Sequence, residues 1–481
     1  MFLVIRLPQC ETSSVVAGHF MVKMNTKQHF TQNFKLAYPI MLSQFGQVMV
    51  TVVDTIMVGQ VGTSSLAAAS FSGGVFAVFM IFGMGITYVL SPLVAEANGS
   101  GRSDKAASYF KNSLLLYSSI GFLFFGLAFI VAQNLHVFGQ SEAVTTLSKD
   151  YFLVLAASLL PLMFFQSFRQ LAEGMQSTRE AMFITIASNL LNIFFNWVLI
   201  FGHFGFEPMG LLGAGIATLI SRIVMPIGMG IFVFKSPIFS KVIKHFGSVK
   251  ISKKRIGTLL KLGTPTGTQA LFEVGAFSFT SIMCGWVSDV AQAAHQIALN
   301  FGTIFYMIAS GIGAAASASV GTFLGKKQIL NAKKSGMVSM MMCVALTTFS
   351  CLVMLIFKNE IPKVYIDDPV VVSMAAQLLL LCGVFQIVDG VQVAAMGALR
   401  GLQDVKVPAI FIFIAYWILG IPSGYVLAFK FGWGSSGVWM GLVIGLTVVA
   451  VLSVIRFIKI SDKKLRMTES MPISEPKLVE A

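Results

Sequence analysis

Apolar runs long enough to cross a bilayer recur twelve times along the chain, at 40–59, 71–95, 113–132, 151–168, 183–201, 211–234, 265–287, 297–321, 337–357, 370–394, 409–429 and 436–459. A helix needs about 20 mainly apolar residues to span the hydrocarbon core. Backbone groups in that core must hydrogen-bond within their own segment, so the runs are expected to be helices rather than open strands. Composition agrees: of 481 residues, 56% are hydrophobic and 11% charged, too few charges to cover a soluble surface. The expected fold class is all-α integral membrane, with twelve transmembrane helices.

In a soluble protein a formal net charge of +14 would suggest nucleic acid as a partner. The distribution of that charge points elsewhere. With both termini placed in the cytoplasm, 29 of the 34 Lys and Arg fall in the inside loops and tails. They include Arg102, Lys105, Lys111, Arg169, Arg179, the run from Lys235 to Lys261, Lys326, Lys327, Lys333, Lys334, Arg400 and Lys406. Lys149, Lys358, Lys363 and Lys430 fall outside, and Arg222 lies within a span. This asymmetry follows the positive-inside rule. It sets topology and leaves nucleic acid without a role. The cysteines, Cys10, Cys284, Cys343, Cys351 and Cys382, show no CxxC spacing, so neither a disulfide framework nor a zinc site is expected. Residues 1–33 carry no signal-peptide pattern and are expected to form a cytoplasmic segment, in which Met24 is an alternative start to Met1. Residues 461–481 are polar and charged, and are expected to form a disordered cytoplasmic tail.

The chain contains itself twice. At an offset of 226, Pro39 meets Pro265, Met57 meets Met283 and Gly59 meets Gly285, while Gly85, Ser91, Val94 and Gly99 fall on Gly311, Ser317, Val320 and Gly325. Later in the halves an offset of 227 pairs Gly174 with Gly401, Gln176 with Gln403, and Arg179 with Lys406. The expected organisation is an amino lobe over 34–234, a basic cytoplasmic connector over 235–255 and a carboxy lobe over 256–460. Six helices return the chain to its starting side, so the lobes are parallel repeats, an arrangement common in transporters with sites near the midplane.

A carboxylate within a span costs at least ~2.5–3.5 kcal/mol on insertion scales, which makes it a functional candidate. Asp54, Glu273 and Asp389 stand in such positions. Glu96, beside Asn98 and Gly99, is expected at a solvated loop mouth. In the fifth span Asn189, Asn192 and Asn196 recur at steps of three and four and share a helical face. Their amide oxygens, with Thr218 of the sixth span, suit a hard cation beside the Asp54 carboxylate. The halves are chemically unequal, for Glu273 overlays Gln47 and Asp54 overlays Thr280. GxxxxGK[ST], HExxH and GxSxG motifs are all missing from the sequence, so neither ATP hydrolysis nor another enzyme activity is expected. His295 is expected to be a bonded structural histidine.

With these residues in view, the chain resembles the multidrug and toxic compound extrusion (MATE) family, in its bacterial NorM-type branch, over roughly residues 34–460. The resemblance rests on LAYPI and VDTIMVG in the first span, on AAHQIALNF, and on VQVAAMGALRGLQD. It implies a V-shaped, two-lobe antiporter of the inner membrane, acting as a monomer and without a cofactor. An inward sodium or proton gradient would drive small organic cations and drugs out of the cytoplasm. Residue by residue, Asp54, Asn192, Asn196 and Thr218 fall on the amino-lobe cation site, a sodium site if sodium is the ion. Glu273 and Asp389 fall on the carboxy-lobe acidic pair. Phe385 stands where some members have a tyrosine, which removes one oxygen from that lobe. The rival within the superfamily is a lipid-linked oligosaccharide flippase, whose cavity carries more basic residues than the acidic cavity expected here. A channel or receptor is a more distant alternative.

Charge asymmetry makes a direct test available. A cysteine at position 250 is expected to react with an impermeant thiol reagent only after the cell membrane is opened, and labelling of intact cells would reverse the topology.

Overall fold

The structure, a computed structural model, describes residues 24–469. Met1, Cys10 and the tail beyond residue 469 lie outside the described residues. Twelve long helices carry the chain: α1 Thr26–Gly59, α2 Thr63–Gly99, α3 Ser103–Gln133, α4 Glu142–Gly174, α5 Arg179–Phe201, α6 Gly210–Lys235, α7 Lys253–Val287, α8 Asp289–Gly325, α9 Ile329–Phe357, α10 Pro369–Gly401, α11 Lys406–Lys430 and α12 Gly434–Glu469. There is no strand among the described residues. Each apolar run lies inside one of these helices, and the chain is a multi-pass membrane protein. Large apolar side chains such as Phe122, Phe183, Leu190, Ile227, Phe349 and Ile356 are exposed on the outer faces, the lipid-facing pattern expected where no water contacts the wall.

The helices outrun the apolar runs where polar groups find partners. α1 starts at a capping box, in which Gln28 N–H donates to Asn25 Oδ1 and Asn25 N–H to Gln28 Oε1. At the other end of the chain, α12 continues to Glu469, past the expected boundary at 460. Lys333 Nζ meets Asp462 Oδ1 at 2.6 Å and ties this extension to α9. The first residues of the expected disordered tail are therefore helical. The connector between α6 and α7 contains short helical turns at Pro237–Phe239 and Ser240–Phe246. Lys111 Nζ of α3 donates to the carbonyls of Phe246 (3.1 Å) and Val249 (2.8 Å) and docks it.

Two helices break in midcourse. α2 turns at Tyr88–Val89, where the Thr87 hydroxyl donates to Met84 O at 2.7 Å. α4 turns at Ser158, whose hydroxyl donates to Leu155 O. Hydroxyls that bond back to their own helix compete with the i→i−4 ladder and bend it.

Helices α1–α6 and α7–α12 form two six-helix halves, and the first helix of each reaches into the other. Asn33 of α1 donates to Ser335 O (3.0 Å) and Ser339 Oγ (2.9 Å) of α9, and His29 packs edge-on against Phe323 of α8. Reciprocally, Arg255 of α7 donates to the Tyr109 hydroxyl of α3 at 3.1 Å, and Leu259 joins the apolar core of the first half. The prolines paired by the repeat, Pro39 and Pro265, lie inside these two helices. Each removes one ladder hydrogen bond and lets its helix bend.

The halves close on each other where α2 and α8 end. Gln403 Nε2 donates to Glu96 Oε2 at 2.7 Å, and Gln176 Nε2 donates to Thr322 Oγ1 at 3.0 Å. These contacts are repeat mates, since Gln176 overlays Gln403 and Glu96 overlays Thr322. Lys105 Nζ also reaches Glu96 Oε1 at 2.9 Å. Glu96 is thus an element of the seam rather than a solvated loop mouth, because two donors from different segments converge on its carboxylate. A Cβ on Gly99 would collide with the Thr322 carbonyl, and one on Gly325 with the Glu96 carbonyl.

Valine at Gly325 is therefore expected to hold the seam open. Overpacking of ~1–3 kcal/mol amounts to roughly fivefold to a hundredfold in the closed-to-open ratio. On a cysteine-free background, a reporter cysteine at Gln403 should label correspondingly faster in Gly325→Val, and unchanged labelling would show that the backbones need not approach so closely.

Candidate functional site

Between the halves lies a cavity of about 320 Å³, walled by α1, α2, α4, α7, α8 and α10. Polar side chains reach it from both sides, including Gln44 and Gln47 of α1 and Gln269 of α7. Four charged residues line it: Arg169, Glu173, Glu273 and Arg400. Arg169 and Arg400 were expected in inside loops. Both instead stand within helices near their ends, Arg400 in the last turn of α10 and Arg169 just before the last turn of α4. Hydropathy ends an apolar run at the first charge, but each helix continues because its charge is accommodated within the protein. Arg169 Nε donates to Glu173 Oε1 at 2.9 Å, one turn along α4, and Arg169 Nη2 reaches Gln44 Oε1 at 3.5 Å. The Arg400 guanidinium lies over the Tyr88 ring, 5.5 Å from its centroid. The cavity is therefore not acidic as expected. Its two positive and two negative groups balance.

Glu273 and Asp389, the expected carboxy-half pair, are placed differently. Glu273 faces the cavity and accepts from Gln392 Nε2 at 3.1 Å; Gln392 Oε1 in turn accepts from the Tyr416 hydroxyl at 3.2 Å. Asp389 sits one turn before Gln392 on α10 and behind the cavity wall, 3% exposed. Its Oδ1 has no hydrogen-bond partner among the described residues. Phe385 packs edge-on against Phe277 and Trp439, while α11 brings Tyr416 in on a wide-wound π-helical stretch over Ile414–Gly420. Such stretches often occur at functional positions.

The amino-half residues come together as a chain of side chains across three helices. Asn196 Nδ2 of α5 donates to Asp54 Oδ1 of α1 and to Asn192 Oδ1, the latter at 3.2 Å. Asn192 Nδ2 donates to Thr218 Oγ1 of α6 at 3.4 Å. Asn196 Oδ1 is a buried acceptor without a donor among the described residues. That spare oxygen beside a carboxylate is the kind of donor set a hard cation takes. Asn189 shares the helical face but stands apart, with its amide against Gly46. Thr280, the repeat mate of Asp54, turns its hydroxyl back to Ala276 O at 2.8 Å, so the second half has no equivalent of this cluster at that position.

Gln392, Tyr416 and Arg222 were not foreseen as parts of these clusters. Arg222 of α6 donates to Ser158 Oγ at 2.7 Å and lies 5.1 Å from the Phe76 ring centroid. Its position within a span was the available signal. His295, expected to be bonded, has both ring nitrogens buried without a hydrogen-bond partner among the described residues, and packs edge-on to Trp439.

The sequence pattern of the MatE family matches residues 39–198 and 265–426, one stretch in each half. The multidrug resistance protein NorM of Photobacterium profundum is 30% identical over 441 residues, 90% of this chain and 96% of the relative. Its counterpart in Vibrio cholerae serotype O1 is 32% identical over 434 residues, 89% and 94% of the two chains. Among solved structures, the eukaryotic MATE transporter AtDTX14 superposes with a TM-score of 0.82 at 20% identity, covering 92% of this chain and 99% of that one. The fold is the same V-shaped pair of six-helix lobes.

Tyr416→Phe should leave Gln392 Oε1 without its donor and loosen the amide that holds Glu273. A loss of about 1 kcal/mol is expected, read as a lower melting temperature of the purified protein; an unchanged melting temperature would mean that this link does not steady the carboxy half.

Proposed function

The chain belongs to the MatE family, in its NorM-type branch, and on that premise we propose that it exports small organic cations and drugs from the cytoplasm across the inner membrane, in exchange for sodium or protons. The NorM relatives are named for multidrug resistance, and the cavity between the halves is of a size for a small organic molecule. A lipid-linked oligosaccharide flippase would call for surplus positive charge to meet phosphate. The cavity carries as many carboxylates as guanidiniums, Glu173 and Glu273 against Arg169 and Arg400, so it has no such surplus, which disfavours that rival.

One observation carries the coupling. α1 bears Asp54 with its amide chain and, about 15 Å along the same helix, Gln44 of the cavity wall. α1 also crosses from one half to the other around Pro39. An ion that draws Asp54, Asn192, Asn196 and Thr218 together would tighten α1 against α5 and α6, and so reshape the wall that the cargo touches. Coupling requires the ion to bind the two access states with different affinity, since equal binding shifts no equilibrium. With both termini in the cytoplasm, the closed seam at Glu96, Gln176, Thr322 and Gln403 faces inward. The structure is then the member of the cycle sealed toward the cytoplasm. Glu273 supplies a negative group to a cationic cargo at the cavity, and Asp389 a second carboxylate behind it. The transporter works as a monomer in this scheme, with the bilayer as its partner.

Dye efflux from proteoliposomes, with sodium and proton gradients imposed separately, tests the scheme. Asp54→Asn should lose gradient-driven efflux while remaining inserted and able to bind dye. Asn192→Ala should weaken dependence on sodium specifically if sodium is the ion, whereas a proton needs only the carboxylate. Full gradient-driven efflux by Asp54→Asn would remove this cluster as the coupling centre. In the carboxy half, Glu273→Gln and Asp389→Asn should each abolish coupled export, and wild-type rates in both would leave these carboxylates purely structural.

A further inference from the structure

Two arginines face the cavity, and only one of them has a carboxylate of its own. Arg169 is neutralised by Glu173 at 2.9 Å on the same helix. Arg400 has no hydrogen bond or ion pair to any described residue; its guanidinium meets the Tyr88 ring instead, 5.5 Å away. A ring face attracts the flat cation but accepts none of its five N–H donors in the way an oxygen would.

The repeat shows how this difference arises. At the offset of 227, Arg400 is the mate of Glu173, and Met396 the mate of Arg169. Where the first half places a complementary pair one turn apart, the second has reversed the sign at one position and put a thioether at the other. Met396, like Arg400, lines the cavity. It has no charge with which to satisfy the guanidinium. The ring contact offsets only part of the cost of desolvating the guanidinium, and the open side of Arg400 is the cavity. Glu273, on the same wall, acts on Arg400 through space without touching it, and its direct partner is the neutral amide of Gln392.

We infer that Arg400 is an oxyanion subsite, and that the cavity favours zwitterionic organic molecules, with a carboxylate held at Arg400 and a cationic centre at Glu273, over plain lipophilic cations. This rests on the reading of the cavity as the cargo site. A guanidinium presents two parallel donors to a carboxylate, which gives geometric selection as well as charge. Arg400 thereby sets specificity.

The test compares a rhodamine free acid with its ethyl ester, the same dye with its carboxylate free or capped. Binding to the purified full-length protein in lipid nanodiscs is followed by fluorescence anisotropy. The wild type should bind the acid more tightly than the ester. Arg400→Gln should lower affinity for the acid about tenfold or more, the worth of a charge-assisted hydrogen bond, and change ester binding little. Arg400→Lys, which keeps the charge but not the fork, should fall between. Met396→Glu offers a second route that leaves Arg400 in place. It puts a carboxylate one turn before the arginine, a favourable helical pairing, and should also erase the preference for the acid. An unaltered acid-to-ester ratio in Arg400→Gln and Met396→Glu would overturn the inference, as would equal loss of both dyes in both variants. A wild type that binds the ester with no preference for the acid overturns it and leaves the export reading standing. A wild type that binds neither dye overturns both.

Discussion

In hydrocarbon, every backbone donor and acceptor must be satisfied inside the protein, and in this chain helices do that almost alone. The consequence reaches past secondary structure. Once the backbone is closed on itself, helices address one another only through small-residue packing and a few polar side chains. Each polar cluster inside the bilayer is therefore conspicuous. The amide chain from Asp54 to Thr218, the Glu273–Gln392–Tyr416 relay and the glutamine seam are the principal links of this kind. Apart from a few further polar bonds, such as Asn33 to Ser335 and Arg222 to Ser158, the helices meet through apolar clusters and close glycine contacts such as Gly85 against Gly267.

Duplication accounts for part of this pattern and divergence for the rest. What the halves keep in common lies where they join: the prolines of α1 and α7, the exchange of first turns, and the reciprocal glutamines at the ends of α4 and α10. These features act on both halves at once, so a change in one member of a pair unbalances the junction. The ionisable groups show no such constraint. Asp54 faces Thr280 across the repeat, Glu273 faces Gln47, and Glu173 faces Arg400. A junction can be symmetric, whereas a site that must tell one ligand from another has no need to be.

The same distinction decides what could be read from the sequence. Twelve helices were legible because the hydropathy signal accumulates over some twenty positions. Asp54, Glu273 and Asp389 stood out because a carboxylate in a span is costly, and Asn192 and Asn196 because helical spacing put them on one face. Arg169 and Arg400 were misplaced into loops for a definite reason: an apolar window stops at a charge, whereas a helix continues if the charge is met by Glu173 or by the Tyr88 ring. The repeat offset could have exposed them, since it lays Arg400 on Glu173 and Met396 on Arg169. Gln392 and Tyr416 were illegible individually. A glutamine and a tyrosine in a span are ordinary, and only the winding of α11 brings that hydroxyl to that amide. The partners of Glu96 were hidden for a similar reason, for Gln403 comes to it from the other half of the chain.

The seam has an energetic scale that matters for the proposed cycle. Its two glutamine hydrogen bonds, one of them to a carboxylate, are together worth a few kcal/mol. A hundredfold difference in affinity between two states is about 2.8 kcal/mol. Ligands with ordinary state preferences can therefore open or close such a seam, which much stronger interlocking would prevent. The crossing helices supply the mechanical link. α1 carries Asp54 in its own half and anchors Asn33 in the other, so strain at the Asp54 cluster is delivered to the contact between halves. α7 does the same for Glu273, through Arg255 and Leu259. A pair of rigid bundles resting side by side would have no such path. In the proposed cycle, the exchange of first turns makes the Asp54 cluster and the cavity at Glu273 competitors for one conformational equilibrium, and such competition is what antiport requires.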